Sequence, residues 1–405
     1  MDLPLSEVIT MQKGKKPKIQ SSEQHEGFMP YVDIKAFEQH IIDSYTDGEG
    51  CAFCEEGDLL IVCDGSRSGL VGRAHKGAIG STLAKITTSS LVDNKFLFYF
   101  IQSHYIELNT NTKGTGTPHV NPALLGSFSL PIISLAEQHR IVAKIDALFS
   151  KLDKGVETLQ TIRQQLRTYR QAVLKWAFEE KPYEKKPMKA ISTAFGGAAF
   201  KSGEFLSKGK YQVIKIGNVR PGVVRLWEKP AFIDNMEGYE RYLLQKGDVI
   251  ITLTGTRKKR DYGFTAVVAH DNLLMNQRVA AIRFSKDYLP KFFMYYSWTR
   301  TFKNDFFADE TGNVGQGNVG MKAINDTFVP YSPIEEQAAI VAAIESRLSV
   351  CDKLESIVDE SLAKAEALRQ SILKKAFAGQ LVPQDPNDEP AEVLLERIRK
   401  TKVAK

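Results

Sequence analysis

The sequence predicts an α+β fold in which two globular, mixed α/β segments alternate with two long α-helices. Residues 131–178 align without a gap with residues 330–377, and 16 of the 48 aligned pairs are identical. Each aligned segment has apolar residues at helical spacing, and each follows a segment rich in turn and strand patterns. We therefore expect an internal pseudo-twofold repeat whose long helices pair as an antiparallel coiled coil.

The first globular segment is expected over residues 1–134. Its pair Gly57 and Asp58 precedes a short apolar run, a pattern typical of a turn that opens a buried strand. An aromatic helix is predicted at about Asn94–Leu108, where the aromatic side chains are expected to face the core. A glycine-rich loop then begins at Gly114 and leads towards the first long helix.

The second globular segment, residues 188–333, repeats this order. Gly247 and Asp248 open an apolar run, and an aromatic helix is predicted at about Pro290–Ala308. The loop Gly315–Gly320 reads G-x-G-x-x-G, which indicates a dinucleotide site only between a strand and a helix of a βαβ unit. Here it follows an aromatic helix and precedes no helical pattern, so we interpret it as a flexible loop.

The long helices are expected at residues 135–180 and 334–378. Their apolar residues recur at heptad spacing in the first helix and at looser helical spacing in the second. The two apolar stripes could pack within one chain or between chains, because both arrangements need the same pattern. The residues expected at this helix-pair or partner interface are Ile141, Ile145, Leu148, Leu152, Leu159, Leu166, Ile340, Ile344, Leu348, Leu354, Val358 and Ile372.

Two shorter segments complete the predicted organisation. Residues 181–187 combine clustered charges with two prolines, and we interpret them as a linker between the halves. Residues 379–405 form a C-terminal tail that begins with a break in the helical pattern. Within this tail, a short amphipathic helix is predicted at about Ala391–Lys400.

Composition and cysteine usage exclude several classes of protein. The chain has 405 residues, of which 43% are hydrophobic and 25% charged, as in globular proteins. Without a run of ~18 apolar residues or a hydrophobic signal region, we expect a cytoplasmic protein. Cys51, Cys54 and Cys63 could begin a zinc site completed by His75, but no second ligand pair follows. Small buried side chains are the other interpretation.

The sequence also lacks the motifs of several enzyme classes. It contains no G-x4-G-K-[ST] phosphate loop, no His-Glu-x-x-His pair and no nucleophile elbow. None of its 16 prolines are adjacent, whereas a base-amino methyltransferase is expected to carry an Asn/Asp-Pro-Pro-aromatic loop. We therefore expect no catalytic residue and no bound metal, and we interpret the chain as a binding protein.

The charge is unevenly distributed, which favours a polyanionic partner. The net charge is +6, yet residues 1–130 carry 11 basic and 15 acidic side chains, whereas residues 188–329 carry 21 and 13. Lysine and arginine neutralise phosphates, and Arg, Asn and Gln can read base edges, although a solvated surface is the alternative for each residue. The candidate DNA-binding residues are Lys13, Lys15, Lys16, Lys18, Ser66, Arg67, Arg73, His75, Lys76, Lys113, Thr115, Arg220, Thr254, Thr256, Arg257, Lys258, Lys259, Arg260, Tyr262, Asn276, Gln277, Arg278, Gln316 and Asn318.

Five motifs carry a resemblance to a known family. Both long helices begin with Glu-Gln-x-x-Ile-Val, at Glu137–Val142 and Glu336–Val341, and both end with Arg-Gln-x-x-Leu, at Arg170–Leu174 and Arg369–Leu373. The segment Gly57–Ser66 reads Gly-Asp-Leu-Leu-Ile-x-x-Asp-Gly-Ser. Together with the repeat, these motifs cover nearly the whole chain and resemble the specificity subunit of type I restriction–modification enzymes.

The resemblance implies a division of labour. Residues 1–134 and 188–333 would be target-recognition domains, each reading one half of a split, asymmetric sequence in double-stranded DNA. The helices would set the unread spacer and dock the partners. Two methylation subunits would bring S-adenosylmethionine, and restriction subunits would bring ATP and Mg, so this chain would supply neither cofactor nor catalysis.

Two other classes of function remain open from the residues alone. One is a tandem-repeat scaffold that assembles proteins through its helices and has no sequence-specific DNA binding. The other is an enzyme without a recognisable motif, such as a nuclease with a loose carboxylate cluster. Sequence preference on DNA distinguishes the specificity subunit from the scaffold, and metal-dependent cleavage by the purified chain would reveal the nuclease.

Overall fold

A computed structural model describes residues 2–114, 116–313 and 315–403. The chain divides into two compact units, which we call unit 1 (residues 1–159 and 360–405) and unit 2 (residues 160–359). Each unit contains one globular segment and parts of both long helices. Within the described residues, no helix has the length and apolar composition needed to cross a membrane.

The two long helices span Leu135–Phe178 and Ile334–Phe377. In unit 2, Arg170 of the first helix forms ion pairs with Asp352 at 2.5 Å and Glu355 at 2.8 Å. Later along the first helix, the Trp176 ring lies 3.8 Å from the guanidinium of Arg347, which precedes Asp352 on the second. The helices therefore pack together in opposite directions within this unit.

In unit 1, the globular segment is built from two four-stranded sheets. One is antiparallel, in the order Ile9–Lys13, Leu83–Thr88, Leu59–Val62, Val71–Arg73. The other is mixed, in the order Tyr45–Thr46, Met29–Val32, Gly77–Ile79, Phe53–Cys54. A separate ribbon pairs Asp2–Pro4 with Ser129–Pro131. The short helices are Ile34–Gln39, Asn94–Ser103, Tyr105–Thr110, Pro122–Ser127 and Ala391–Val403.

In unit 2, the central antiparallel sheet has the order Ser192–Gly196, Val279–Phe284, Val249–Thr252, Thr265–Val267. A mixed sheet has the order Phe232–Ile233, Tyr211–Ile214, Leu273–Met275. Smaller sheets join Val219–Arg220 to Val223–Val224, Glu184–Pro187 to Phe328–Tyr331, and Gly317–Asn318 to Thr254–Gly255 and Thr311–Gly312. The short α-helices are Met188–Ile191, Pro290–Tyr296, Arg300–Phe307 and Met321–Asn325.

The structure corrects three predicted elements. Each aromatic helix is two helices, since His104 ends the first in unit 1, and Thr299 caps a new helix in unit 2 by accepting from the Phe302 amide at 3.2 Å. The predicted linker contains a strand, Glu184–Pro187, which pairs with Phe328–Tyr331. The expectation that no helix follows the loop Gly315–Gly320 was also wrong, because Met321–Asn325 is helical, although a five-residue helix makes no βαβ unit.

The aromatic helices join the globular segments to the long helices. In unit 1, Phe96 and Phe100 pack on Phe377 with ring centroids 5.3 and 5.2 Å apart, in one core with Ile141 and Ile145. In unit 2, Phe178 packs on Phe292 in the equivalent way, at 5.1 Å. The beginning of each apolar stripe is therefore buried in the core of its own unit as well as against the other helix.

Candidate nucleic-acid interface

In unit 2, most of the predicted polar residues lie around one small sheet. The buried strand Val249–Thr252 continues into Thr254–Gly255, which pairs with Gly317–Asn318, and that strand pairs with Thr311–Gly312. The glycine-rich loop is therefore held to the end of the central sheet. A β-carbon at Gly317 would lie 2.3 Å from both the Glu310 carboxylate and the Tyr262 hydroxyl, so this close packing requires glycine.

Polar side chains connect the strands of this sheet to the neighbouring turn. The Thr254 hydroxyl donates to Asn318 Oδ1 at 2.8 Å, and Arg278 Nη1 donates to the Thr254 hydroxyl at 3.4 Å. Asn276, Gln277 and Arg278 form the turn before Val279, and Gln277 and Arg278 are exposed. This turn therefore presents amide and guanidinium groups beside the sheet.

The basic turn that follows Thr256 combines fixed and exposed cations. The Thr256 amide donates to Asp261 Oδ1 at 2.6 Å, which closes the turn. Arg260 lies 4.9 Å from the Phe307 ring, whereas Lys258 and Lys259 are exposed and form no ion pair within the described ranges. Two exposed lysines of this kind suit contact with phosphates.

Arg257 is held by a carboxylate beneath the turn. Its Nε lies 3.6 Å from Glu310 Oε2, and its Nη1 donates to the Gly312 carbonyl at 3.4 Å. The Glu310 side chain is only 7% exposed and accepts a hydrogen bond from the Tyr262 hydroxyl. Burial, together with this bond, raises the pKa of the Tyr262 phenol well above its ordinary value, so the hydroxyl stays a donor.

A depression of about 400 Å³ lies beside the sheet. Arg220, Thr256 and Gln316 line it together with backbone of the glycine-rich loop. Arg220 Nη1 donates to the Val219 carbonyl at 2.9 Å, and its Nη2 lies 3.6 Å from Glu228. Predicted residues that are distant in sequence therefore surround one concave surface.

In unit 1, the loop around Asp64, which corresponds to the Thr254 segment of unit 2, is linked to its neighbours by charged side chains. Asp64 follows the buried strand Leu59–Val62, and its carboxylate lies 2.7 Å from His119 Nδ1 and 2.9 Å from Lys13 Nζ. Burial opposes ionisation of Asp64, but the hydrogen bonds from Lys13 and His119 outweigh it and lower the pKa of the carboxyl. Asp64 is therefore an ionised member of this loop.

Arg67 and Lys113 lie on the same loops of unit 1. Arg67 Nη1 is 3.6 Å from Glu38 Oε2, and the backbone of Lys113 pairs with that of His119. The Ser66 carbonyl accepts from the Asn109 side chain at 3.0 Å, and the Ser66 residue is exposed. Thr115, which was predicted with this group, lies outside the described residues.

The structure separates other predicted residues of unit 1 from this loop. Arg73 pairs with Leu59 at the start of the strand, whereas Asp64 follows its end, about 13 Å away for a four-residue strand. His75 Nε2 lies 2.9 Å from His40 Nδ1, and Lys76 pairs with Glu55 at 2.9 Å. Arg73 is therefore separated from Arg67, whereas His75 contacts the end of the helix that also carries Glu38, the partner of Arg67.

The first basic cluster of the chain is also spread out. Lys13 pairs with Asp64, and Lys18 pairs with Glu49 at 3.1 Å. Lys15 and Lys16 are exposed in the segment between them. Of the four predicted lysines in this segment, only Lys13 contacts the Asp64 loop directly among the described contacts.

Two predicted contacts are buried and need a different interpretation. Tyr262 is 2% exposed and does not reach the surface, and Thr254 is 3% exposed and contributes only to the lining of the depression beside the sheet. Tyr262 instead packs on Phe307, with ring centroids 5.0 Å apart, and supports Glu310. The structure assigns these two residues to the framework of the loop because its sheet and the glycine-rich segment cover them.

Sequence reasoning missed Asp64, His119, Glu38 and Glu310. The first two could have been found from the repeat, because aligning Asp58 with Asp248 places Asp64 opposite Thr254, and the offset of the long helices places His119 opposite Asn318. No pattern distinguishes Glu38 or Glu310 in the sequence. Their roles depend on arginines that lie 29 and 53 residues away.

The cysteines do not form a zinc site among the described residues, where no group of three or more metal-type ligands occurs. The Cys54 thiol donates to the His75 and Gly77 carbonyls at 3.2 and 3.4 Å. Burial raises the pKa of the Cys54 and Cys63 thiols to about 11, which favours the neutral thiols. Cys54 and Cys63 fit the interpretation as small buried side chains, whereas Cys51 is only half-buried.

Each globular segment is attached to its long helix by a buried glutamine. Gln138 is 2% exposed; its side-chain oxygen accepts from the Asp93 amide at 2.8 Å, and its NH2 donates to the Leu91 and Ile133 carbonyls. In unit 2, Gln337 is fully buried and forms the same three bonds with Leu289, Asp287 and Ser332. The glutamine of the Glu-Gln motif therefore joins the long helix to the globular segment.

The family follows from a comparison with known sequences. The model of the family described as "Type I restriction modification DNA specificity domain" matches residues 1–166 and 180–361. The chain belongs to this family. The matched ranges include both loop surfaces and both glutamine joints.

Individual specificity subunits are similar over most of their length. The MjaVIII specificity subunit of Methanocaldococcus jannaschii is 25% identical, with 93% of this chain and 92% of the relative covered. The EcoKI specificity subunit of Escherichia coli K12 is 27% identical, with 86% and 81% covered. These relatives are named as the specificity components of type I restriction enzymes.

Solved structures support the fold. A chain from a structure describing complex assembly and conformational transition of the type I restriction–modification system has a TM-score of 0.74 at 20% identity, with 94% of this chain and 98% of that chain covered. The HsdS subunit from Thermoanaerobacter tengcongensis has a TM-score of 0.52 at 20% identity, with 94% and 97% covered. Mixed sheets and long helices are thus shared with known specificity subunits.

Proposed function

We propose that this chain is the sequence-specific DNA-binding subunit of a type I restriction–modification complex. The observation that carries the proposal is that a member of this family has an equivalent polar loop surface in each unit, with Arg67 and Arg257 at corresponding positions. Residues 1–134 and 188–333 each read one half of a bipartite, asymmetric target. The chain itself catalyses nothing.

The long helices set the unread spacer between the half-sites. Helices of 44 residues are long enough for this role, because at about 1.5 Å per residue each extends about 66 Å, and one turn of DNA is about 34 Å. The recurrence of the same anchoring bonds at Gln138 and Gln337 supports an internal pseudo-twofold repeat. Residues 181–187 link the halves, and residues 379–405 form the tail.

The partners are two methylation subunits and, in the complete enzyme, restriction subunits, which supply S-adenosylmethionine, ATP and Mg chemistry in the cytoplasm. An apolar surface on the second long helix supports protein docking. Val350, Leu354 and Ile357 are 56%, 43% and 57% exposed, and their spacing places them on one helix face. We propose this stripe as part of the docking surface for a methylation subunit.

A charge on the stripe tests this docking surface. Leu354→Glu should weaken association with the methylation subunit about tenfold or more, because a carboxylate would be desolvated in an apolar contact. The neighbouring exposed Lys353→Gln is the matched control and should bind normally. Co-purification at controlled concentrations measures both variants, and equal retention of the two would contradict this docking surface.

The function itself is tested by co-expressing the chain with its methylation subunits and mapping methylated adenines in host DNA. A split motif with a fixed unread spacer is the expected result. Insertion of one helical turn in both long helices should change the spacer and leave the half-sites unchanged. A stable complex without new, sequence-specific methylation would overturn the proposal in favour of an assembly scaffold.

A further inference from the structure

We propose that Arg67 and Arg257 each read a guanine in their respective half-sites, and that Glu38 and Glu310 are the residues that position them. This inference rests on the proposed function and assigns specificity to four named side chains. The two arginines occupy equivalent positions, because the alignment of Asp58 with Asp248 also aligns Arg67 with Arg257.

Each arginine is held by a carboxylate at the same separation. Arg257 Nε lies 3.6 Å from Glu310 Oε2, and Arg67 Nη1 lies 3.6 Å from Glu38 Oε2. The carboxylates come from different parts of the fold, since Glu38 is on the short helix Ile34–Gln39 and Glu310 follows Arg300–Phe307. The two units therefore each place a carboxylate beside the arginine, with different elements and at different guanidinium nitrogens.

Both carboxylates are largely buried, although a charged group is more stable when water solvates it. Glu310 is 7% exposed and Glu38 is 22% exposed at the side chain, while Arg257 and Arg67 are 42% and 54% exposed. Glu38 Oε1 is buried and has no hydrogen-bond partner among the described atoms. A buried carboxylate beside a half-exposed arginine restricts the guanidinium, and among the described contacts the Nη2 groups of Arg257 and Arg67 form no other bond and stay available to a base.

The planar geometry of the arginine side chain favours guanine as the base that it reads. A guanidinium can donate two parallel hydrogen bonds to O6 and N7 of guanine in the major groove, which is the commonest specific arginine contact with DNA. Preorganisation lowers the conformational entropy that is lost on binding. The neighbouring Lys258 and Lys259 have no such support and suit phosphate contacts, which carry no sequence information.

In unit 2, Tyr262 and Gly317 complete the support. The Tyr262 hydroxyl donates to Glu310, and a side chain at position 317 would displace this carboxylate or the hydroxyl. Arg257 is further restrained by its bond to the Gly312 carbonyl. Glu310 and the Gly312 carbonyl thus contact two nitrogens of the Arg257 guanidinium, and Tyr262 holds Glu310 through its other carboxylate oxygen.

The experiment maps methylation by the full chain with its methylation subunits on a DNA library randomised in both half-sites. Arg257→Lys keeps the charge but loses the planar fork. It should relax one guanine position in the half-site read by residues 188–333, by about 5- to 150-fold, and leave the other half-site unchanged. Arg67→Lys should relax one guanine in the other half-site only.

Glu310→Gln and Glu38→Gln test the positioning residues. Each should relax the same guanine as its arginine variant, by a smaller factor, while total methylation of the best site is largely retained. Lys259→Gln is the matched control in the same turn, and should reduce methylation of all sites equally. Recovery of the intact complex and its thermal unfolding temperature establish that each variant is folded.

The outcomes separate this inference from the proposed function. If the unmodified chain directs no split motif, the proposed function fails. If it does, but Arg257→Lys relaxes no position, or a position other than guanine, base reading by Arg257 is wrong, and the same criterion applies to Arg67. If folded Glu310→Gln and Glu38→Gln reduce methylation of all sites uniformly, the carboxylates are structural and do not set specificity.

Discussion

The two loop surfaces have the same backbone connections and different side-chain chemistry. In unit 1 the Val120 amide donates to the Cys63 carbonyl at 2.7 Å, and in unit 2 the Val319 amide donates to the Leu253 carbonyl at 2.9 Å. One residue further along, the link is Asp64 to His119 in unit 1 and Thr254 to Asn318 in unit 2. The first link joins the ionised Asp64 carboxylate to an imidazole, whereas the second joins a neutral hydroxyl to a neutral amide.

This difference indicates what each part of the loop contributes. Backbone hydrogen bonds hold the two loops in place in both units. The side chains that link the loops can therefore differ between the units while the backbone arrangement is kept. Under the proposed function the two surfaces read different half-sites, and this separation of backbone from side chains allows it. Because Asp64 can be protonated, the stability of the loop in unit 1 depends on pH. The Asn318 amide and the Thr254 hydroxyl of unit 2 do not titrate in the same range.

A second contrast lies at the opposite end of the same strands. Asp248 is 2% exposed and receives two hydrogen bonds from Arg283, both at 2.8 Å. Asp58 is 24% exposed and pairs with Lys85 at 2.5 Å. Both carboxylates also accept a backbone amide of their own turn at 2.8 Å. The turn is thus shared, but its carboxylate is more buried in unit 2.

Removal of these carboxylates should give the largest effect. Asp248→Ala should lower the free energy of opening of strand Val249–Thr252 by about 3–5 kcal/mol, because a buried carboxylate and its two charge-assisted hydrogen bonds from Arg283 are lost. Asp58→Ala should lower that of Leu59–Val62 by about 1–2 kcal/mol, because the Asp58 carboxylate is more exposed and forms a single ion pair with Lys85. Hydrogen exchange of the strand amides, followed by mass spectrometry, measures both.

Each variant serves as the other's control, since it leaves the opposite unit unaltered. The double variant Asp248→Ala with Arg283→Met should recover part of the loss, because it removes the guanidinium that the single variant leaves without its partner. Equal effects of the two alanine variants would mean that burial does not distinguish these turns, and the contrast between the units would then be limited to their loops.

The features that could be predicted from the sequence depend on local patterns. The Glu-Gln motifs, the apolar stripes and the Gly-Asp turns carry their signal within a few residues, so the long helices and central strands were recognisable. The break at His104 had no such signal, because an aromatic apolar pattern continues across it. The strand Glu184–Pro187 was missed because its partner lies more than 140 residues away.

The candidate site was less predictable for the same reason. Lys13, Arg67, Arg257 and Gln316 were identified by residue type, but nothing local separated Arg73 from Arg67. Their separation follows from the antiparallel pairing of Val71–Arg73 with Leu59–Ile61, which sends Arg73 to the opposite end of the strand. A buried group such as Glu310 has no signal of its own in the sequence, because its role depends on the residues that the fold packs against it.

The smallest effect we predict concerns pH and sharpens the contrast between the loops. The Asp64 carboxyl has a lowered pKa in the folded chain, because the bonds from Lys13 and His119 outweigh its burial. Its contribution to stability is therefore present above the unfolded value of about 3.9 and is lost as the pH falls through the folded value. We expect the free energy of local opening of the Asp64 loop to fall by about 1–2 kcal/mol.

Hydrogen exchange of the amides of Gly65 and Val120, corrected for the intrinsic effect of pH, measures this loss. The amide of Val319 is the internal control, because the Thr254 and Asn318 side chains beside it do not titrate. In Asp64→Asn the acid dependence should disappear, since an amide cannot be protonated in this range, and protection at neutral pH should fall towards its acid value. If unit 1 and unit 2 instead lost protection in parallel on acidification, the ionic link would not control the loop, and acid would be acting through the fold as a whole.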